Sequence, residues 1–233
     1  GNIELTFITP NDYDEIKETM ILSYQTMPDS YWREPQIRKL IDIFPDGQVA
    51  LRVNGQIAGC AFAIIIQSDR FDEKHTYREI TGDYTFNTHD QNGDTLYGID
   101  VFIRPEFRDL RLGRRLYDYR KELCEKMNLK AIMFGGRIPN YHKFANELTP
   151  RQYIEKVRDR EIHDPVFNFQ LFNDFHPVRI LKGYLEGDQV SHEYAVLMKW
   201  ENIYYEKPSS TAGTIKREVR LGLVQWQMRP YRN

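Results

Sequence analysis

The sequence has 233 residues, of which 41% are hydrophobic and 28% are charged, a balance that is typical of a folded globular protein. Thirty-two basic and 34 acidic residues give a formal net charge of −2, so no overall field would recruit nucleic acid or an anionic membrane. The longest apolar run, Ile57 to Ile66, is ten residues long, half of the roughly 20 that a membrane span needs, and no secretion signal precedes it. We therefore expect a cytoplasmic protein without membrane or nucleic-acid partners.

Strand and helix patterns alternate in the first part of the chain. Ile3 to Ile8 alternates apolar and polar residues, as a strand with one buried face does. Two helices are predicted next, from about Tyr13 and over residues 35–43, because cap residues precede apolar residues at helical spacing. Two apolar runs then flank Asn54-Gly55, the strongest short-range signal for a β-hairpin. Residues 68–94 are polar and predict a long loop or a short irregular hairpin.

The rest of the chain continues the alternation of strands and helices. The predicted elements are a strand at 95–104, a helix at 111–127, a strand at 130–134, a helix at 150–158 and strands at 178–185 and 192–200. The last helix is marked by Thr149 as N-cap and Pro150 at the first helical position. This order predicts an α/β fold whose mixed, mostly antiparallel central sheet is flanked by helices.

The composition changes after residue 202. Residues 203–217 contain the run Pro-Ser-Ser-Thr-Ala-Gly, which is typical of a linker. Residues 219–228 then predict a new strand that has no partner. We therefore expect one domain over residues 1–202, a linker over 203–217 and the start of a truncated second domain over 218–233.

One segment carries the clearest chemical signal, residues 101–117, which join a strand, a proline stop, a basic loop and the start of a helix. A helix N-terminus offers unpaired N–H groups and a positive dipole end to an anion. Gly113 removes a side chain where the backbone has to approach closely. Four arginines add positive charge, at positions Arg108, Arg111, Arg114 and Arg115. A pyrophosphate is the natural ligand, while arginines that merely solvate the helix face are the alternative interpretation.

Residues 103–108 (Ile-Arg-Pro-Glu-Phe-Arg) and the loop at 108–113 resemble the acyl-CoA motif of the GCN5-related N-acetyltransferase (GNAT) superfamily. The order of elements over residues 3–200 is similar too. The resemblance implies a GNAT-like fold, acetyl-CoA (coenzyme A) as the acyl donor and a small-molecule or peptide amine as the acceptor. It also implies that the pantetheine arm meets the strand at Val101, Phe102 and Ile103, and that the phosphates meet Arg108, Arg111, Leu112, Gly113, Arg114 and Arg115.

Three positions depart from the family's pattern, and one of them is Asp174, where glycine is usual. Arg111 stands where the family usually has glycine, so either its side chain points outward or the loop has another shape. Gln170 stands in the segment that corresponds to the family's turn before the final hairpin, where a tyrosine often protonates the CoA thiolate. Tyr141 and Tyr184 are the substitutes, on the expectation that both face the cleft.

Acetyl transfer to an amine needs a base near the acceptor nitrogen, often acting through water. Asp100 is an acidic residue within an otherwise apolar strand, and burial would raise its pKa toward a useful range. We therefore interpret Asp100, Tyr141 and Tyr184 as the catalytic residues. An aspartate that caps a bulge at Gly98, or that faces solvent, is the alternative.

Other chemistry receives little support from the sequence. Cys60 and Cys124 lie in apolar segments and are interpreted as core residues. The six histidines lack the spacing of metal ligands, so no metal is expected. The leading hypothesis is an N-acetyltransferase in which the amine attacks acetyl-CoA directly. The second is a non-catalytic module that binds CoA or delivers substrate.

The tail at residues 219–228, VRLGLVQWQM, resembles the first strand of a carbon–nitrogen hydrolase (nitrilase-like) domain. A subgroup of bacterial GNAT domains is fused to such a hydrolase. The resemblance implies that a C-terminal nitrilase-like domain is a partner in the full-length protein. Exposed strand edges make a homodimer a further expectation.

Overall fold

The computed structural model describes residues 1–71 and 74–209. The described residues contain seven strands, which are β1 Ile3–Phe7, β2 Val49–Val53, β3 Gln56–Ile66, β4 Thr95–Ile103, β5 Ala131–Arg137, β6 His176–Leu181 and β7 Ala195–Glu201. They form one sheet in the order β1-β2-β3-β4-β5-β7-β6. Its neighbours are antiparallel except β4 and β5, which run parallel. The predicted fold class, a mixed and mostly antiparallel sheet flanked by helices, is confirmed.

Helices cover both faces of the sheet. The described residues form α1 Tyr13–Ser23, α2 Glu34–Ile43, α3 Tyr77–Ile80, α4 Leu112–Lys126, α5 Pro150–Arg158 and α6 Pro165–Phe172. Strand β3 is buried on both sides: Phe62 packs in one apolar cluster with residues of α1 and α2, and Ala63 packs in another with residues of α4, α5 and α6. The sequence of β3 is continuously apolar because an apolar cluster covers each face of the strand.

Local sequence signals account for most of the elements. Asn54 and Gly55 adopt φ angles of 51° and 84°, as the tight turn of the predicted hairpin between β2 and β3 requires. Helix α5 begins at Pro150 behind its Thr149 cap, whose side chain accepts a hydrogen bond from the backbone of Gln152. The described residues of the predicted long connection, 68–71 and 74–94, include α3, which is a single turn of helix.

Helix α6 was not predicted. The family's turn was expected over residues 169–175, but a helix reaches Phe172. The Asp164 side chain caps this helix by accepting hydrogen bonds from the backbone of Val166 and Phe167, and Pro165 occupies its first position. These are the same two signals that identify α5, so the sequence did contain the information.

The last two strands begin and end at other residues than expected. Strand β6 stops at Leu181, because the chain turns at Gly183, whose φ is 65°, so Tyr184 lies outside the strand. Strand β7 begins at Ala195 rather than at residue 192, because His192 and Glu193 both adopt left-handed backbone angles. The loop between β6 and β7 is therefore longer than the sequence indicated.

The two parallel strands in the middle of the sheet separate along their length. Strands β4 and β5 pair over three residues only, with Thr95 opposite Ala131 and Tyr97 opposite Met133 at the two ends. The register of β3 and β4 also shifts at Ile99, which has no opposite residue on β3. Beyond Tyr97 the β5-facing edge of β4 is therefore not paired with β5, which opens a split in the sheet.

The predicted boundary between the first domain and the linker can be compared with the structure as far as residue 209. The backbone N–H of Glu206 donates to Asn128 at 3.0 Å, so contacts with the fold continue past the boundary predicted at residue 202. The predicted strand at 219–228 and the linker from residue 210 onward lie outside the described residues. Among the described residues, none of the helices combines the length and apolar content that a membrane-spanning segment requires.

Candidate active site at the split of the sheet

A cavity of about 390 Å³ lies at the split between β4 and β5. Its floor includes residues 98–101 of β4, Gly135 and Arg137 of β5, and Arg120 of α4. The segment between α1 and α2 and the loop around α3 supply aromatic walls, made of Tyr24, Tyr31, Trp32, Tyr77 and Tyr84. Cavities that combine apolar walls with a few convergent polar groups are typical of substrate sites.

Asp100 faces this cavity. Its carboxylate accepts hydrogen bonds from the Tyr24 hydroxyl and from the Trp32 side chain. Burial raises the pKa of Asp100 to about 6, although the two hydrogen bonds and the nearby Arg120 and Arg137 guanidinium groups oppose that rise. The side chain thus lies in the cavity and is held by another segment of the chain, and near neutral pH it can accept a proton.

Tyr184 also lines the cavity and ends a buried chain of hydrogen bonds. Its hydroxyl oxygen lies 2.7 Å from that of Tyr97, which lies 2.8 Å from Nε2 of His75. Burial raises the pKa of Tyr184, so its hydroxyl stays protonated and can donate. A Cβ atom on Gly135 would lie 2.3 Å from the Tyr184 ring, which explains why β5 has a glycine there.

Tyr141 does not line the cavity, and the expectation that it faces the cleft is wrong. Its hydroxyl donates to the carbonyl of Leu148 at 2.7 Å. Its ring packs against Tyr153 of α5, with the ring centroids 5.3 Å apart. The segment between β5 and α5 packs against α5, so Tyr141 lies in the core rather than in the split.

Arg111 adopts a backbone conformation that glycine would adopt easily. Arg111 adopts φ 56° and ψ 31° immediately before α4, the left-handed conformation that glycine adopts most easily. Its side chain is exposed, so Arg111 replaces glycine by pointing outward. This arrangement agrees with the first of the two alternatives, in which the Arg111 side chain points outward.

Three residues of the loop have structural contacts that their sequence did not reveal. Arg108 donates to the backbone carbonyls of Ile103 at 3.3 Å and Ser23 at 3.0 Å. The Leu112 side chain is fully buried in the core, so only the backbone of this residue can contact a ligand at the start of α4. A Cβ atom on Gly113 would lie 2.8 Å from Cζ of Phe169, so packing of α4 on α6 requires this glycine.

The remaining predicted cofactor residues lie on the first turn of α4 and on β4, and of these Val101 lines the cavity. Arg114 is exposed and Arg115 is partly buried on the first turn of α4. On β4, Val101 and Ile103 are partly buried, while the Phe102 side chain packs beneath the sheet against Phe62. At these positions β4 is not paired with β5, and the pantetheine site there stays a prediction.

Two buried polar atoms on the cavity wall have no hydrogen-bond partner among the described residues. Arg120 donates through Nη2 to the carbonyls of Phe62 and Asp100, but its Nε is unpartnered. Gln170, which stands at the position of the family's tyrosine, hydrogen-bonds Tyr117 and leaves its Oε1 unpartnered. Buried polar groups are nearly always satisfied, so these two atoms are exceptions among the described residues.

Most of the cavity residues were not predicted from the sequence, and Tyr24, Trp32, Arg120 and Arg137 are the important ones among them. Tyr24 is separated from Asp100 by 76 positions in the chain, and no local pattern marks such a pairing.

Among the residues that the structure describes, no three His, Cys, Asp or Glu side chains are arranged to hold a metal.

Comparisons with known proteins agree with this geometry. The model of the acetyltransferase (GNAT) family matches residues 14–145. YkwB of Bacillus subtilis (strain 168), named an uncharacterized N-acetyltransferase, is 36% identical over 76% of this chain and 78% of its own length. YhcX of the same organism, named a probable hydrolase, is 40% identical over 85% of this chain, which spans only 39% of the length of YhcX. The chain therefore belongs to the GNAT family and is an acyltransferase.

Solved structures share the fold. The loading GNATL domain of CurA from Lyngbya majuscula matches with a TM-score of 0.74 and 18% identity, over 86% of this chain and 98% of that domain. The GphF GNAT-like decarboxylase in complex with isobutyryl-CoA matches with a TM-score of 0.71 and 19% identity, over 84% and 98%. An aminoglycoside 6′-N-acetyltransferase complexed with coenzyme A matches with 0.53 and 11%, over 88% and 99%.

Proposed function

We propose that this chain transfers the acetyl group of acetyl-CoA to a primary amine, which attacks the thioester directly. The observation that carries the proposal is Asp100, a carboxylate with a raised pKa at the point where the sheet splits. A group of this kind is suited to accept the proton that the amine nitrogen loses.

Acetyl-CoA fits the residues around the split. Beyond Tyr97 the edge of β4 is not paired with β5 and offers backbone groups to the pantetheine amides. The start of α4, with Arg111 and Arg114 exposed beside it, suits the pyrophosphate. Structures with the same fold have been solved with coenzyme A and with isobutyryl-CoA.

In the proposed reaction, the amine nitrogen forms a bond to the thioester carbon and the carbon–sulfur bond breaks. Asp100 accepts the proton from nitrogen, either directly or through a water molecule. Tyr184 donates a proton to the leaving thiolate and regains one through Tyr97 and His75, whose polar atoms form a continuous chain. The products are the N-acetylated amine and free CoA.

Replacing Asp100 with Asn tests this proposal against a module that only binds CoA. Asparagine keeps the size of the side chain, so binding of acetyl-CoA measured by calorimetry should stay within about two-fold. Release of free thiol in the presence of amine acceptors should fall by 10²–10⁴-fold, because general base catalysis contributes roughly that much.

The two readouts separate the alternatives. Acetyl-CoA binding without thiol release by the wild type, over a broad set of amines, would favour the binding module. Turnover that Asp100→Asn leaves within a few-fold would show that another group is the base.

We also propose that the acyltransferase domain extends from residue 1 past the predicted boundary at 202 to at least Glu206, and that a nitrilase-like domain follows in the full-length protein. The support is the resemblance of residues 219–228 to the first strand of such a hydrolase and the similarity to the longer YhcX, named a probable hydrolase. The mass and sequence of the full-length protein would test whether a nitrilase-like domain follows.

A further inference from the structure

Arg137 lies at the end of β5 and lines the cavity without a part in the proposed proton transfers. Its Nε and Nη2 donate to Oδ2 and Oδ1 of Asp188, at 2.9 Å and 2.7 Å. Asp188 is 1% exposed. A two-pronged contact with a buried carboxylate fixes the plane of the guanidinium group, which a lysine in this position could not achieve.

The fixed guanidinium group keeps one nitrogen for another partner. Nη1 of Arg137 has no hydrogen bond to any other residue in the described parts of the chain, and 21% of the side chain is exposed. Arg137 also lowers the pKa of Asp100 by its positive charge. Its charge therefore acts on the part of the cavity where the acceptor nitrogen has to be.

The charges around the cavity are uneven. Arg33, Arg120 and Arg137 line it, against the acidic Asp100 and Glu186. Arg120 already uses Nη2 on two backbone carbonyls, and Arg33 stacks over the Tyr31 ring at 3.7 Å. Arg137 is thus the arginine that is both held in one orientation and open toward the cavity.

We propose that Arg137, oriented by Asp188, binds a carboxylate of the acceptor, so that the acceptor is an amino acid or a similar small amine with its own carboxylate. The inference rests on the proposed acetyl transfer. Such an acceptor places its nitrogen at Asp100 and its carboxylate at Arg137, which matches each charge with its opposite. The aromatic walls leave an apolar surface for its side chain.

The test compares amino acids with the amines that lack only the carboxylate, for example L-phenylalanine with 2-phenylethylamine. Wild-type kcat/KM should be higher for the amino acid of each pair. Replacing Arg137 with Met and Asp188 with Asn together removes the site without leaving an unpaired buried charge. The preference for the amino acid should then fall about 10- to 100-fold, mostly through KM, as expected for a lost charged hydrogen bond.

Two further variants control this experiment. Arg137→Lys keeps a charge beside Asp188 but loses the planar fork, so its preference should lie between those of the wild type and the double variant. Arg52→Met with Asp12→Asn removes another partly buried ion pair, whose residues do not line the cavity. That control should keep the wild-type preference.

The outcomes distinguish this inference from the proposed function. Equal use of both members of each pair by the wild type, or equal loss with both in the double variant, would overturn the carboxylate site while acetyl transfer stands. If no acceptor in the panel is acetylated, the transfer proposal fails for small amines. The site is then judged by titrating N-acetyl-phenylalanine with CoA present: affinity that depends on Arg137 supports it, and affinity that does not overturns it.

Discussion

Two donors from one distant segment act on the Asp100 carboxylate. Tyr24 and Trp32, at the two ends of the connection between α1 and α2, both hydrogen-bond it and so favour its charged form. Burial favours the neutral form, and the balance leaves the pKa near 6. Asp100 is therefore tuned by residues that do not belong to its own strand.

Replacing Tyr24 with Phe should move the pH dependence of the reaction. The wild-type rate should fall as the pH drops through about 6, because protonated Asp100 cannot act as a base. Loss of the Tyr24 hydroxyl removes a hydrogen bond to the charged carboxylate, so the pKa should rise and the falling limb should move to higher pH by about one unit.

The matched control is Tyr77→Phe. The Tyr77 hydroxyl lines the same cavity but donates to the backbone carbonyl of Ile99 at 2.7 Å. Profiles of kcat/KM against pH for the wild type and both variants test whether the falling limb moves in Tyr24→Phe alone. A limb that stays in place in Tyr24→Phe would show that Asp100 does not control the rate.

At the scale of elements, sequence signals predicted what is local. The hairpin at Asn54-Gly55 and helix α5 follow from turn and cap chemistry that acts within a few residues. Helix α6 carried the same cap chemistry at Asp164-Pro165 but was interpreted through a family pattern that favoured a turn there. The error at α6 came from giving the pattern more weight than the local physics.

Helix α6 should depend strongly on its cap. Asp164 is fully buried and accepts hydrogen bonds from the backbone of Val166, Phe167 and Asn140 and from the Tyr153 hydroxyl. Asp164→Ala would leave these donors unpaired, so we expect it to lower the free energy of unfolding by about 2–4 kcal/mol.

Thr149→Ala on α5 is the comparison for this variant. That cap makes the same kind of bond at an exposed position, so its loss should cost about 1 kcal/mol. Urea unfolding of both variants measures the difference. Equal losses would show that burial adds nothing to the Asp164 cap.

At the scale of the whole molecule, the described fold continues past its last strand. The Asn202 side chain donates to the carbonyl of Leu129 at 2.9 Å, and Asn128 and Glu206 exchange two hydrogen bonds. A chain ending at residue 201 should therefore have a free energy of unfolding about 2 kcal/mol lower than a chain ending at residue 209. Urea unfolding of the two chains tests this, and equal stability would place the boundary before residue 202.

The candidate site shows where sequence reasoning stops. Asp100 was predicted because an acid in an apolar strand is conspicuous, and Arg111 because it is one of four arginines near the start of a helix. Tyr24, Trp32 and Arg137 become part of the site only when the chain brings the α1–α2 connection and the end of β5 to the same cavity. The prediction for Tyr141 was wrong for the same reason, because the position of this residue depends on how the segment between β5 and α5 packs against α5.

The three residue pairs between β4 and β5 are the narrowest connection in the sheet. A ligand lying in the split would touch both halves and would bind the folded chain but not the unfolded one. By linkage, a hundredfold excess of free ligand over its dissociation constant would add about 2.7 kcal/mol to the folding stability. The concentration of the acyl donor would thus set how firmly the two halves of the sheet are held together.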